Sequence, residues 1–100
     1  MEELRALQQW YLSQCNQDWE HMYGIKIDTL DNPGWTLKVD LRETELEGAA
    51  FETVSRGDSE DEADWIFCKV EGDQFYGAGG ALNLTELIQV FLQWAAKVAA

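Results

Sequence analysis

Basic residues are scarce in this chain: 7 Lys and Arg stand against 19 Asp and Glu, a formal net charge of −12. A surface that acidic repels phosphate backbones and anionic lipid, so neither nucleic acid nor membrane is an expected partner. Histidine occurs once, at His21, whereas a metal centre needs three or four convergent ligands. Cys15 and Cys68 lie far apart with no CxxC spacing, so both are expected as reduced, packed thiols rather than a disulfide or a zinc site. No cofactor is expected. No apolar run approaches the roughly 20 residues of a membrane span, and "MEELRALQQW" carries acids where a signal peptide has bases, which points to the cytoplasm. There is one proline, no Ser/Pro-rich linker and no internal repeat, so residues 1–100 read as one domain.

Apolar material is plentiful. Hydrophobic residues make up 46% of the chain and aromatics 12%, with five Trp, enough to offset the entropy of ordering a chain of this size. From Glu2 to about Asn16, Leu4, Leu7, Tyr11, Leu12 and Cys15 recur at helical steps, opposite Glu3, Gln9, Ser13 and Gln14. That is an amphipathic helix with acids at its positive end. In "YGIKIDTLDNPGWTLKVDL", Tyr23, Ile25, Ile27 and Thr29 alternate with polar or small residues, and so do Trp35, Leu37, Val39 and Leu41. Both halves are half-buried strands.

Their register follows from chemistry, because residues directly opposite in an antiparallel pair share a sheet face. Leu30 opposite Trp35 would set Leu37 against Asp28, whereas Thr29 opposite Trp35 sets Ile27 against Leu37, Ile25 against Val39 and Tyr23 against Leu41. The second register keeps the apolar face intact. Leu30 to Gly34 then form the connection, with Pro33 fixing its own φ and Gly34 expected at positive φ in a type II turn. The run "TLDNPGW" is thereby explained as a corner, with no ligand required.

Further on, "AAFETVS" suits a short third strand, "RGDSEDEAD" (56–64) a solvated loop and "WIFCKV" (65–70) a central strand. Gly72-Asp73 marks a hairpin pairing Glu71 with Gln74 and Val70 with Phe75. Asn83 followed by Glu86 has capping-box spacing. Beyond it Leu84, Leu87, Ile88, Phe91, Leu92 and Ala95 form the stripe of a last helix. The expected fold is α+β: an antiparallel sheet of about five strands, flanked by an N-terminal and a C-terminal helix packed on one face.

Catalytic signatures are weak. His21 beside Glu20 invites a base or ligand reading, but a packed or surface histidine accounts for it as well. Cys68 amid Ile66, Phe67 and Val70 has surroundings that raise a thiol pKa and make it inert. "GAGG" precedes a helix, yet no Lys or Arg follows until Lys97, unlike a phosphate loop. No cleft singles out one acid pair for glycoside chemistry. What remains is the segment Glu43–Asp64, with nine acids against Arg56 alone. Solvation explains such a run by itself. As a contact surface it would speed the capture of a basic partner and be weakened by salt.

The runs "DWEHMYGIKIDTLDNPGWTLKVDL" (18–41), "DWIFCKV" (64–70), "FYGAGG" (75–80) and "NLTELIQVFLQWA" (83–95), with an N-terminal helix ending "WYLSQCNQDW", cover most of the chain. In these it resembles the immunity proteins of bacterial polymorphic toxin systems, specifically the group labelled immunity protein 53. The resemblance implies a small cytoplasmic protein that neutralises a cognate toxin domain by non-covalent contact, without catalysis. It supplies no functional residues. On charge, the expected contact residues are Asp58, Glu60, Asp61, Glu62 and Asp64, facing a basic toxin such as a nuclease, with Trp19 or Trp10 as an exposed aromatic anchor. Two alternatives stand beside this one: a small ligand-binding or enzymatic domain using His21 and Glu20, and a homodimeric structural or adaptor protein joined through a sheet edge or the Trp94 side of the last helix.

Overall fold

A computed structural model describes residues 2–100. Helix α1 (Glu2–Gln14) and a single turn α2 (Trp19–Met22) precede strands β1 (Ile25–Leu30), β2 (Gly34–Asp40), β3 (Val54–Arg56), β4 (Ile66–Glu71) and β5 (Gln74–Gly80). Helix α3 (Leu84–Ala99) follows. The strands form one antiparallel sheet in the order β1-β2-β5-β4-β3. The expected α+β architecture is therefore observed.

Period-two alternation sends one set of side chains to the helix side: Trp35, Leu37 and Val39 from β2, Ile66 and Cys68 from β4, and Phe75 from β5. Leu87, Ile88, Phe91, Trp94 and Ala95 of α3 and Leu7 of α1 close over them. Trp94 packs edge-on against Phe51 at 5.1 Å, and its indole N–H donates to the Ala50 carbonyl at 2.8 Å. Each such buried apolar side chain contributes on the order of 1.5–3 kcal/mol. The 50–51 segment thus covers the Trp94 side chain, which is buried.

Thr29 stands opposite Trp35, Ile27 opposite Leu37 and Ile25 opposite Val39. The second hairpin pairs Glu71 with Gln74 and Val70 with Phe75, and Gly72 and Asp73 both take positive φ, 59° and 60°. That matches the twist-compatible two-residue turn. Four local expectations differ. Tyr23 ends α2 instead of facing Leu41 in the ladder. The third strand begins at Val54, while Phe51 packs against Phe75 at 5.5 Å. Leu30 and Gly34 pair with each other, leaving Asp31–Pro33 as the connection, and Gly34 is not at positive φ. Its glycine has another cause: a Cβ there would lie 2.3 Å from the Gly79 carbonyl oxygen of β5. Asn83 stands at the start of α3, but its side chain does not cap the helix. Its amide instead donates to Asp64 at 2.8 Å and to Glu86 at 3.3 Å.

Candidate interaction surface

The acidic loop is ordered by its own carboxylates. Asp58 accepts the Glu60 N–H at 2.8 Å, Glu62 accepts the Asp58 N–H at 3.1 Å, and the Glu62 N–H donates to the Asp58 carbonyl at 2.8 Å. Gly57, at φ +79°, turns the chain out of β3. The far end is pinned by Arg56, whose guanidinium forks onto both oxygens of Glu86 and also reaches Asp64. Paired charge-assisted bonds of this kind fix orientation as well as distance. The Asn83 amide, followed by Arg56, holds the Asp64 carboxyl below its usual range, and Arg56 does the same for Glu86. Of the five acids expected at the contact, all are exposed, but Asp58, Glu62 and Asp64 also build the loop. The Glu60 and Asp61 side chains make no hydrogen bond or ion pair among the described residues.

The loop borders the sheet face that no helix covers. Gly57, Asp58 and Ser59 form one rim of a shallow basin of about 860 Å³ whose floor includes Phe67, Tyr76 and Ala78. The register aligns Lys26 of β1, Lys38 of β2, Tyr76 of β5 and Lys69 of β4 in a single row across four strands. The Lys38 and Lys69 ammonium groups lie 5.9 and 6.0 Å from the centre of the Tyr76 ring, within cation–π range. Lys69 pairs with Glu71 at 2.7 Å, while Lys26 and Lys38 form no ion pair among the described residues. Asp40, the nearest acid beyond Lys38 on its strand, is taken up by the Gly24 N–H at 3.0 Å and by Gln74 at 3.3 Å. This row was not singled out in the sequence, although the hairpin register alone places Lys26 against Lys38.

The other expected site residues fall elsewhere. Trp19 is not an exposed anchor: it is 1% exposed, and its indole N–H donates to the Arg42 carbonyl at 2.9 Å. Its ring packs edge-on against Trp10 and Tyr11 of α1, 6.1 and 6.0 Å between centroids, and this burial ties the four-residue helix α2 to α1. Trp10 is half-buried, edge-on to Phe91 at 4.9 Å, with its indole nitrogen enclosed and without a hydrogen-bond partner among the described residues. His21 is exposed on α2. Its neighbour Glu20 accepts the Asn16 and Gln17 N–H groups at 2.9 and 2.8 Å. Backbone N–H groups, its own first, keep its carboxyl below the usual range. The two therefore do not converge on a pocket. Cys68 is fully buried in β4, and burial, with a lesser push from Glu86, drives its thiol up to about 12. "GAGG" lies within β5 and forms no loop. Among the described residues no three His, Cys, Asp or Glu side chains group as metal ligands, and no helix is long and apolar enough to cross a membrane.

This geometry suits binding: a rigid sheet, a bare face and an ordered charged rim. The model of a family described as Immunity protein 53 matches residues 4–96. No curated protein and no solved structure matches the chain.

Proposed function

The chain belongs to the immunity protein 53 family, and from that membership we propose that it binds and neutralises a cognate toxin of a bacterial polymorphic toxin system. It acts in the cytoplasm as one domain, a monomer or weak homodimer, by non-covalent contact and without catalysis. The observation that carries the reading is the loop of residues 57–64, whose carboxylates are exposed yet held in place by Arg56, Asn83 and the loop's own backbone. A pre-ordered anionic loop binds without first losing chain entropy, and it steers a basic partner toward it. A nuclease has the complementary charge, since its cleft must hold phosphates.

The test is co-expression with the toxin domain encoded beside this chain. The wild-type protein is expected to restore growth and to co-purify with the toxin. Glu60→Gln with Asp61→Asn removes charge without touching the bonds that build the loop. Association of this double variant should be slower and less salt-dependent than that of wild type. Unchanged inhibition with unchanged salt dependence would remove the loop from the contact, and failure of the wild-type chain to protect would remove the function.

A further inference from the structure

The bare face carries a charge pattern that its own folding does not account for. Like charges directly opposite on neighbouring antiparallel strands destabilise the pair, yet Lys26 faces Lys38, and the row continues through Tyr76 to Lys69. The chain has 19 acids, and none stands in this row. Folding alone favours an acid at Lys26 or Lys38. The nearest acids on the face do not close on the pair: Asp40, two residues along, is engaged by Gly24 and Gln74, and Asp28, diagonal to Lys38, accepts the Thr29 N–H, so neither forms an ion pair with Lys26 or Lys38 among the described residues. Arrangements that cost stability and persist are characteristic of functional surfaces.

We infer that the Lys26–Lys38–Tyr76–Lys69 row is a second contact for the toxin, receiving carboxylate groups, with Tyr76 as its aromatic anchor. This rests on the toxin-binding reading and deepens it. The interface it describes is bipolar: the toxin is basic where it meets Glu60 and Asp61, and acidic where it lies over the lysine row. An apolar toxin side chain beside those carboxylates fits the depression over Phe67 and Ala78. Aromatic residues flanked by cations are the usual energetic centres of such patches. Size supports a joint surface, because five strands about 4.8 Å apart and some 20 Å long make a face of roughly 500 Å², short of the roughly 800 Å² each partner gives to a standard interface. The acidic rim supplies the difference. Nucleic acid is disfavoured because a phosphate backbone crossing this face would also lie over Asp28, Asp40 and Glu71, whereas a protein can set carboxylates on the lysine row and other groups over those acids. A symmetric second copy would lay one lysine row near another.

The experiment is a titration of the toxin domain, inactivated in its own catalytic site, with wild-type protein, Lys38→Glu and Lys26→Glu. Either exchange turns the like pair into an opposite one, so thermal stability should hold or rise while toxin affinity drops about tenfold or more. Lys26→Glu alters an exposed position on the edge strand β1 and keeps the test valid if Lys38→Glu folds poorly. Wild-type affinity in both variants, with the wild-type chain still protecting cells, overturns this inference and leaves the immunity function standing. Failure of the wild-type chain to bind overturns both. Light scattering and titration of a single-stranded DNA oligonucleotide complete the set: a dimer, or an oligonucleotide complex, that is abolished by Lys38→Glu assigns the row to that occupant and overturns the inference too.

Discussion

A methyl group added at Gly34 would sit 2.3 Å from the backbone carbonyl oxygen of Gly79, whereas one added at Gly24 meets nothing within 4 Å. The first atom belongs to the ladder between β2 and β5 and cannot swing aside as a side-chain end would. Gly34→Ala must therefore push two paired strands apart, an overpacking cost of about 1–3 kcal/mol. Gly24→Ala fits its space and restricts the unfolded chain, so it should stay within about 0.5 kcal/mol of wild type or stabilise slightly. Urea unfolding checks the pair: the Gly34→Ala midpoint should fall by about 1 M, and an unmoved midpoint would mean that the strands are not limited by this contact. The same residue shows where sequence reasoning stops. "DNPGW" announces a corner, and a corner it is, but the demand for glycine comes from β5, over forty residues downstream in the chain, and local turn chemistry has no access to a long-range approach.

At the scale of elements, the loop of residues 57–64 is tied to α3 by Arg56 of β3, which bridges Asp64 and Glu86, with the Asn83 amide as a second tie to Asp64. Its partners Asp64 and Glu86 are held below their ordinary values of 3.8 and 4.5. A carboxyl depressed in the folded state stabilises fully above its unfolded value, and that stability is lost as pH falls through the folded one. Arg56→Gln should therefore lower the thermal midpoint by a constant amount above those ordinary values, and the gap to wild type should narrow as pH falls below them. A gap independent of pH would show that Arg56 acts by packing alone. Where period-two alternation ran uninterrupted, as in β1 and β2, strands and register were legible, because a one-residue slip would turn Leu37 and Val39 to solvent, and the Gly72-Asp73 turn did the same for the β4–β5 register. Where burial of a single large side chain decides, legibility failed. The α2 turn exists through Trp19, and the 44–52 segment is placed by Leu46 and Phe51 against the core; neither has a periodic signature. The acidic rim was legible as composition, while the lysine row appeared only once four strands were laid side by side.

For the whole molecule, the net charge of −12 acts over a distance set by salt. At about 0.15 M ionic strength charges are screened beyond about 8 Å, and at about 0.01 M beyond about 30 Å, against overall dimensions of 42 × 25 × 23 Å. At low salt a basic toxin therefore approaches the entire anionic body, and at physiological salt it senses only the patch before it. Lys38→Glu replaces one positive charge by a negative one, which strengthens the long-range pull while damaging the proposed contact. Stopped-flow mixing at low salt should then show association no slower than wild type, with dissociation faster by about tenfold. Neutralising Glu60 and Asp61 should do the reverse, slowing association most at low salt and changing dissociation little. Long-range steering would thus reside in the acidic body and residence time in the lysine row. Slower association of Lys38→Glu at low salt would mean instead that the row meets the toxin first, so that the toxin's acidic patch, rather than its basic one, guides the encounter.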